Sequence, residues 1–133
     1  MRYGQDRQSY FWITDMTGRM IVHPYRRDLE GRNLRDYRDP EGVALFRRFA
    51  KIGSGGGEGY VRYRWQWYDD PSRIVPKMSY VKGFEPWGWV IGTGLYISDV
   101  NAEIRALELR IYHVMLAITA ALIALLLVML RGG

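Results

Sequence analysis

Residues 75–96, VPKMSYVKGFEPWGWVIGTGLY, carry two lysines among apolar and aromatic residues. The pattern predicts two strands joined by a tight corner, with Lys77 between apolar neighbours on a central strand. An unpaired ammonium is costly to bury, whereas a carboxylate ligand needs a cation held in a dry pocket. A lysine at this position therefore needs a partner if its strand is buried. The alternative is that it lies on the solvated face of a half-exposed strand.

Other residue combinations that could do chemistry have structural explanations. The segment GSGGGEG, residues 53–59, lacks a GKS or GKT ending and precedes a predicted strand, so we interpret it as a connector and not as a phosphate loop. Asp69 and Asp70 are adjacent and precede Pro71, which is typical of a turn. No nucleophile–base pair, metal-spaced ligand set or paired carboxylates stand out. We therefore expect no enzyme activity, no metal and no cofactor.

Composition limits the possible partners. The 133 residues carry a net charge of +5, but the basic residues alternate with acidic ones, as in residues 26–42, RRDLEGRNLRDYRDPEG. Such interleaving is typical of a solvated loop, so nucleic-acid binding is not expected. Cysteine is absent, which excludes disulfides and thiolate metal sites.

Hydrophobic periodicity predicts an α+β fold. Aromatic, β-branched and alternating runs predict five strands, at residues 9–15, 19–24, 59–68, 74–84 and 89–97. One crossing helix is predicted to begin at Pro40, with Asp39 as its N-cap, and to end in the glycine-rich segment. The order of elements favours a five-stranded antiparallel sheet with the helix on one face, similar to the PAS-type fold. The GTG run at residues 92–94 predicts a close backbone approach or a bulge within a strand.

The end of the sequence predicts a membrane helix. No charged residue occurs from Val114 to Leu130, and the apolar run extends over about residues 111–130. At about 1.5 Å per residue this segment spans about 30 Å, which matches the core of a bilayer. Ser98 is a candidate N-cap, so one helix is predicted over residues 98–131, with 132–133 as a tail. No apolar signal-peptide core precedes the first predicted strand.

Small residues inside this span could contact a second helix. They form two pairs with small-xxx-small spacing: Ala117, Ala120, Ala121 and Ala124. This spacing permits close helix–helix approach, which favours self-association or docking to another membrane protein. The alternative is that these alanines are ordinary residues of a membrane helix.

Four segments together resemble a known family. They are YFWITDMTGRMIVHP, LEGRNLRDYRDPEGVALFRRF, GEGYVRYRW and VPKMSYVKGFEPWGWVIGTGLYISDV. In this order they resemble the single Cache domain, of the second single-Cache type, of bacterial methyl-accepting chemotaxis proteins and sensor histidine kinases. The resemblance implies a PAS-like extracytoplasmic domain over residues 1–97 that binds a small organic acid such as pyruvate, acetate or propionate. Family members also have a long N-terminal helix and an output domain, and neither is expected in this chain.

The family pattern also implies which residues bind the ligand, namely Lys77 and Tyr80. His23 is a further candidate donor, although a histidine beside a proline is often a hydrogen-bonded structural residue. The rings expected to size the cavity for two- or three-carbon acids are Trp12, Tyr63, Trp65 and Trp67. The alternative for these rings is plain core packing.

Two functions remain after the sequence analysis. The first is a sensor anchored by one helix in the bacterial inner membrane, with a periplasmic domain that binds a small carboxylate. The second is a non-catalytic accessory subunit of a larger membrane complex, in which the Cache fold is a docking module. A homodimer or a partner membrane protein is expected in either case, through the membrane helix and through the sheet face that the N-terminal helix covers in the family.

Overall fold

The structure, a computed structural model, describes residues 2–4 and 8–133. Met1 and residues 5–7, which belong to the predicted sensor region 1–97, lie outside the described residues. The chain divides into two compact units, Met1–Ser98 and Asp99–Gly133. The first unit holds the sheet and the second holds nearly all of a long apolar helix.

An antiparallel sheet is the framework of the first unit. Its strands are β1 (Arg2–Tyr3), β2 (Ser9–Asp15), β3 (Met20–Val22), β4 (Glu58–Trp67), β5 (Asp70–Phe84) and β6 (Trp89–Tyr96). The order across the sheet is β1-β2-β6-β5-β4, and β3 also pairs with β2. The predicted antiparallel sheet is confirmed, and the short β1 is an addition because two residues carry no alternation signal.

The strand registers place the candidate site residues on neighbouring strands of the sheet. Lys77 in β5 lies opposite Tyr63 in β4 and opposite Tyr96 in β6. On the other side of β6, Trp12 in β2 lies opposite Gly92. Because side chains alternate along each strand, these residues share one face of the sheet.

Helix α1 (Leu45–Gly53) covers this face, which we call the inner face. Its buried residues include Leu45, Phe46 and Phe49, and the Phe49 ring lies 4.4 Å from the Trp12 ring. The remaining helical turns outside α1 and the C-terminal helix are the 3-10 helices Arg27–Leu29, Ser54–Gly56 and Glu85–Trp87, counted over the described residues.

The predicted start of α1 at Pro40 is wrong, since the helix begins at Leu45. The Asp39 carboxylate caps a turn instead: it accepts the backbone N–H groups of Glu41 and Val43, at 3.0 and 2.8 Å. Gly42 then has a φ of +84°, which a right-handed helix cannot accommodate. The second Asp39 oxygen accepts the backbone N–H of Arg64 at 2.8 Å, so this residue ties the loop to β4.

Two glycines of β6 allow the close approach predicted for the GTG run. A Cβ atom at Gly92 would lie 2.1 Å from the Trp12 ring. A Cβ atom at Gly94 would lie 2.3 Å from Ser79 Oγ and 2.9 Å from Lys77 Cε. Because these two glycines of β6 have no side chains, there is space for the Trp12 and Lys77 side chains.

Helix α2 (Ile97–Gly132) begins at the residue that follows the end of β6. It continues without a break through the predicted span, and by length and composition it is able to cross a membrane. The observed start precedes the predicted cap, Ser98, by one residue.

Candidate functional site

A small cavity lies between the inner face of the sheet and α1. Its volume is about 10 Å³, enough for about one water molecule. It is lined by aromatic and aliphatic side chains and by two ionisable groups: Tyr10, Trp12, His23, Leu45, Phe46, Phe49, Tyr63, Trp65 and Lys77. Five of these are predicted site residues, so the structure brings most of the predicted set together.

Lys77 is the amine of this cavity. Its side chain is 1% exposed, and Nζ donates a hydrogen bond of 2.7 Å to the Tyr10 hydroxyl. Nζ also lies 4.3 Å from the centre of the Tyr10 ring and 5.1 Å from the centre of the Tyr96 ring. None of the described residues that line the cavity is an aspartate or a glutamate. Burial without a counter-ion lowers the pKa of Lys77 to about 7.

Tyrosine hydroxyls supply neutral polar groups around Lys77. The Tyr63 hydroxyl lies 2.7 Å from Ser79 Oγ, and both side chains are buried. Burial raises the pKa of Tyr63 and of Tyr10 above the ordinary value, so both phenols stay protonated at neutral pH. The inner face therefore offers Lys77 hydrogen bonds and aromatic faces, with no fixed negative charge from these groups.

His23 is buried beside the same rings, and its ring centre lies 5.0 Å from that of Tyr10. Its Nδ1 accepts the backbone N–H groups of Tyr25 and Arg26, at 3.2 and 3.0 Å. Burial, followed by the positive charge of Lys77, lowers the pKa of His23 to about 3. A neutral imidazole that accepts at Nδ1 carries its proton on Nε2, so His23 is a hydrogen-bond donor through Nε2. The structural and the ligand-binding interpretations of this residue are thus compatible.

Trp65 carries a buried donor without a partner. Its Nε1–H has no hydrogen-bond acceptor among the described residues, although the side chain is only 5% exposed. A buried N–H group without an acceptor costs about 1–3 kcal/mol. Because Trp65 lines the cavity, a ligand oxygen there could accept this bond.

Tyr80 and Trp67 are not brought to the cavity, which corrects their predicted placement. Tyr80 lies on the opposite face of the sheet, which we call the outer face, where its hydroxyl donates to Glu58. Trp67 follows an irregularity in the β4–β5 register at Gln66, and it packs against Arg73, with the guanidinium carbon 4.3 Å from the ring centre. The bulge turns the buried Gln66 to a position that regular alternation gives to Trp67.

The sequence analysis missed Tyr10, which lines the cavity, and Ser79, which bonds to the lining residue Tyr63. Tyr10 precedes Trp12 by two positions in β2, and Ser79 follows Lys77 by two positions in β5. Both therefore share the inner face with a predicted site residue. The period-two pattern could have identified them.

The four alanines of the predicted packing stripe lie within α2: Ala117, Ala120, Ala121 and Ala124. Residues three and four positions apart share one side of a helix, so these four form a continuous stripe. Its role in helix packing stays a prediction.

Comparison with known sequences and structures gives consistent matches. The sequence profile of the Cache domain matches residues 1–121. The methyl-accepting chemotaxis protein McpP of Pseudomonas putida is 42% identical over 103 residues, which is 77% of this chain and 18% of that protein. The sensor histidine kinase MctS of Rhizobium johnstonii is 36% identical over 104 residues, 78% of this chain and 22% of that protein. The chain thus spans about a fifth of the length of these relatives.

Solved structures with the same fold are sensor domains. A periplasmic sensor domain of a chemotaxis protein is 41% identical with a TM-score of 0.66, covering 71% of this chain and 65% of that one. A Cache chemosensory domain that recognises carboxylic acids is 40% identical with a TM-score of 0.66, covering 73% of this chain and 64% of that one. Each match covers about seven tenths of this chain.

Proposed function

Because this chain belongs to the Cache domain family, we propose that it is a membrane-anchored sensor domain that binds a small organic acid in the cavity beside Lys77. The observation that carries the proposal is a buried amine without a carboxylate partner among the described lining residues. A ligand carboxylate supplies the negative charge that this site lacks. The recognition of carboxylic acids by a similar chemosensory domain supports the same ligand class.

Different lining residues contact different parts of the acid. The Lys77 ammonium pairs with the carboxylate, and the donors of His23 and Trp65 satisfy its remaining lone pairs. The Trp12 and Tyr63 rings pack against the short carbon chain and limit its length. We place Tyr80 and Trp67 outside this set because neither lines the cavity.

Binding must widen the cavity. The present space accommodates about one water molecule, which is less than any two-carbon acid occupies. A ligand can shift the protein only toward a conformation to which it binds more tightly. The direct connection between β6 and α2, with no residue between them, offers a route by which such a change reaches the helix.

Thermal unfolding of the full chain in mild detergent tests the binding claim. At about 100 times its dissociation constant, a bound acid stabilises the protein by about 2.7 kcal/mol. We expect this response to one or more of acetate, propionate and pyruvate, and we expect Lys77→Met to abolish it. Lys82→Met is the matched control, because Lys82 is an exposed lysine of the same strand. If these acids leave the melting temperature of the wild type unchanged, the site does not bind them.

We further propose that α2 spans the membrane and that the sheet unit lies in the periplasm. The similarity to a periplasmic sensor domain supports this orientation. The chain has no cysteine, so Arg62→Cys introduces one exposed thiol. In cells with a permeabilised outer membrane, a membrane-impermeant maleimide should label this thiol without lysis. Labelling only after lysis would place the sheet in the cytoplasm.

The outer face favours a second role, docking to another protein chain. It exposes large apolar side chains, with Tyr60 at 71% and Leu95 at 63% exposed. Other members of this face are Tyr3, Phe11, Met78, Tyr80, Phe84 and Ile91. An apolar patch of this kind is typical of an interaction surface, either with a second copy or with a membrane partner. Purification in mild detergent distinguishes the accessory subunit from the sensor. Co-purification of a different protein in stoichiometric amount supports the accessory role, and a homodimer that retains bound acid supports the sensor.

A further inference from the structure

Every element packed around Lys77 presents a neutral group to it. Strands β2, β4 and β6 contribute Tyr10, Tyr63 and Tyr96, and the segment after β3 contributes His23. Helix α1 contributes only apolar side chains to the cavity. The amine therefore has hydrogen-bonding and aromatic neighbours but no anionic one among the described lining residues.

Charges near the cavity are already compensated. Arg26 and Asp28 form an ion pair of 3.0 Å, and they influence His23 with opposite signs. The other ion pairs among the described residues join loop and surface groups and do not include Lys77. A positive charge on Lys77 thus has no fixed partner, and the buried amine is best accommodated in its neutral form.

We propose that, above about pH 7, the cavity takes up a carboxylate together with one proton, so that the empty site holds a neutral Lys77 amine and the occupied site holds an ammonium–carboxylate pair. The reaction is balanced as amine plus proton plus carboxylate giving the bound ion pair, and no bond to carbon changes. This inference rests on the proposed function, and it specifies that function further: the net species bound is the undissociated acid. A buried ion pair with satisfied hydrogen bonds is less costly than either charge alone in the same site.

The titration behaviour of the lining groups assigns the proton to Lys77. Burial places the pKa of Lys77 at about 7 in the empty site, and an adjacent carboxylate raises it. His23 stays neutral in the empty site near pH 7 because its pKa is lowered to about 3. The pKa values of Tyr10 and Tyr63 are raised, so these phenols do not release a proton in this range. The short-chain acids themselves are fully ionised above pH 6.

A specific pH dependence follows for ligand affinity. Below about pH 6, Lys77 is already protonated, so affinity should be constant there. Above the pKa of Lys77 in the ligand-free protein, each pH unit should weaken binding about tenfold. The reason is that binding takes up one proton, and the proton concentration falls tenfold per pH unit. At pH 8 the number of protons taken up per ligand should approach about 0.9, and at pH 6 it should fall to about 0.1.

Titration calorimetry of the full chain in mild detergent tests this inference. The probe is whichever of acetate, propionate or pyruvate gives the largest thermal shift, measured at pH 6, 7 and 8. Each measurement is made in two buffers whose ionisation enthalpies differ, since the difference in observed heat gives the number of protons exchanged. The proposal is supported if the number of protons taken up per bound acid rises with pH while the affinity for the acid falls. Binding with no proton exchange and constant affinity overturns it and leaves the proposed function intact, whereas absence of binding overturns the proposed function.

Two variants identify the proton acceptor. Lys77→Arg carries a guanidinium that stays protonated throughout this range, so binding by this variant should be independent of pH and of buffer. His23→Gln keeps a hydrogen-bond donor but cannot titrate, so its proton uptake should match that of the wild type. If uptake disappears in His23→Gln, the proton belongs to His23 and the assignment to Lys77 is wrong. The wild-type measurement decides the proposal even where Lys77→Arg does not fold.

Discussion

Lys77 and Tyr96 are paired directly across β5 and β6, and the Lys77 amine lies 5.1 Å from the centre of the Tyr96 ring. Tyr96 is the last residue of β6, and Ile97 begins α2. The candidate ligand-binding amine is therefore in contact with the residue that precedes the apolar helix. This pairing places the site beside the end of β6, at the residue after which α2 begins.

Replacement of Lys77 by methionine should stabilise the ligand-free protein. A buried amine without a counter-ion is costly, and an apolar side chain of similar length removes that cost. We expect Lys77→Met to raise the free energy of unfolding by about 2 kcal/mol or more at pH 7. Since the pKa of Lys77 is lowered to about 7, the wild type regains stability as the pH rises from 7 toward 10. The difference between the two proteins should therefore shrink over that range.

Chemical unfolding at pH 7 and pH 9 measures this difference. Lys82→Met, on the exposed side of β5, should change stability little at either pH. A destabilised Lys77→Met would mean that the amine contributes to the ligand-free fold. A gain in stability at the expense of ligand binding is the usual sign of a functional residue.

His23 should make the fold sensitive to mild acid. Its pKa is lowered to about 3 in the folded protein, so the unfolded chain takes up a proton at about pH 6.5 and the folded protein does not. Stability from this group is complete above pH 6.5 and is lost as the pH falls toward 3, at about 1.4 kcal/mol per pH unit. Between pH 6.5 and 4.5, the free energy of unfolding should fall by about 2–3 kcal/mol less in His23→Gln than in the wild type. Parallel stability curves for the two proteins over this interval would contradict the prediction.

The sequence predicted the sheet and the inner face well, because alternation along a strand is a local property. Val61, Tyr63 and Trp65 are buried on one face of β4, and Lys77 lies on the matching face of β5. The burial of Lys77 depends on long-range pairing with β6, for which the two glycines were the available signal. Strand alternation together with the two glycines of β6 therefore locates the site without any knowledge of a ligand.

The failures have equally specific causes. Lys77 and Tyr80 are three positions apart, and residues of odd spacing on a regular strand face opposite sides. Trp67 follows a bulge, which shifts the alternation by one residue and leaves no mark in the sequence pattern. At the start of α1, Asp39 and Pro40 have the sequence of a helix cap, but the carboxylate bonds to a turn and to β4. The bulge at Gln66 and the Asp39 hydrogen bond to β4 override local preferences, whereas Tyr80 follows the regular alternation of its strand.

Gly94 should be intolerant of any side chain. A methyl group there would lie 2.3 Å from Ser79 Oγ and 2.9 Å from Lys77 Cε, so β6 or the Lys77 side chain must move. We expect Gly94→Ala to lower the free energy of unfolding by about 1–3 kcal/mol and to weaken ligand binding. Gly59→Ala is the control, because its nearest neighbour would be the Ile52 side chain at 3.3 Å. Equal stabilities of these two variants in chemical unfolding would argue against the close packing at Gly94.

The Tyr96 hydroxyl should hold the end of β4 in place. It donates to the Gln66 carbonyl at 2.7 Å and accepts the backbone N–H of Tyr68 at 3.0 Å. Tyr68 has a φ of +47°, which is unfavourable for a residue with a side chain and needs such support. Tyr96→Phe should lower stability by about 1–2 kcal/mol and accelerate hydrogen exchange at the Tyr68 amide. Unchanged exchange at Tyr68 would show that other contacts maintain this turn.

Trp65 should contribute more to ligand affinity than to the stability of the empty protein. Its indole N–H is buried without an acceptor among the described residues, and an acid oxygen in the cavity would satisfy it. Trp65→Phe removes this donor, and we expect it to weaken acid binding at least about tenfold, equivalent to about 1.4 kcal/mol. Trp12→Phe removes a comparable ring volume from the same cavity and serves as the control for lost packing. Calorimetry should therefore give a larger loss of affinity for Trp65→Phe than for Trp12→Phe. The opposite order would mean that the cavity rings recognise the acid by shape, with the indole donor left unused.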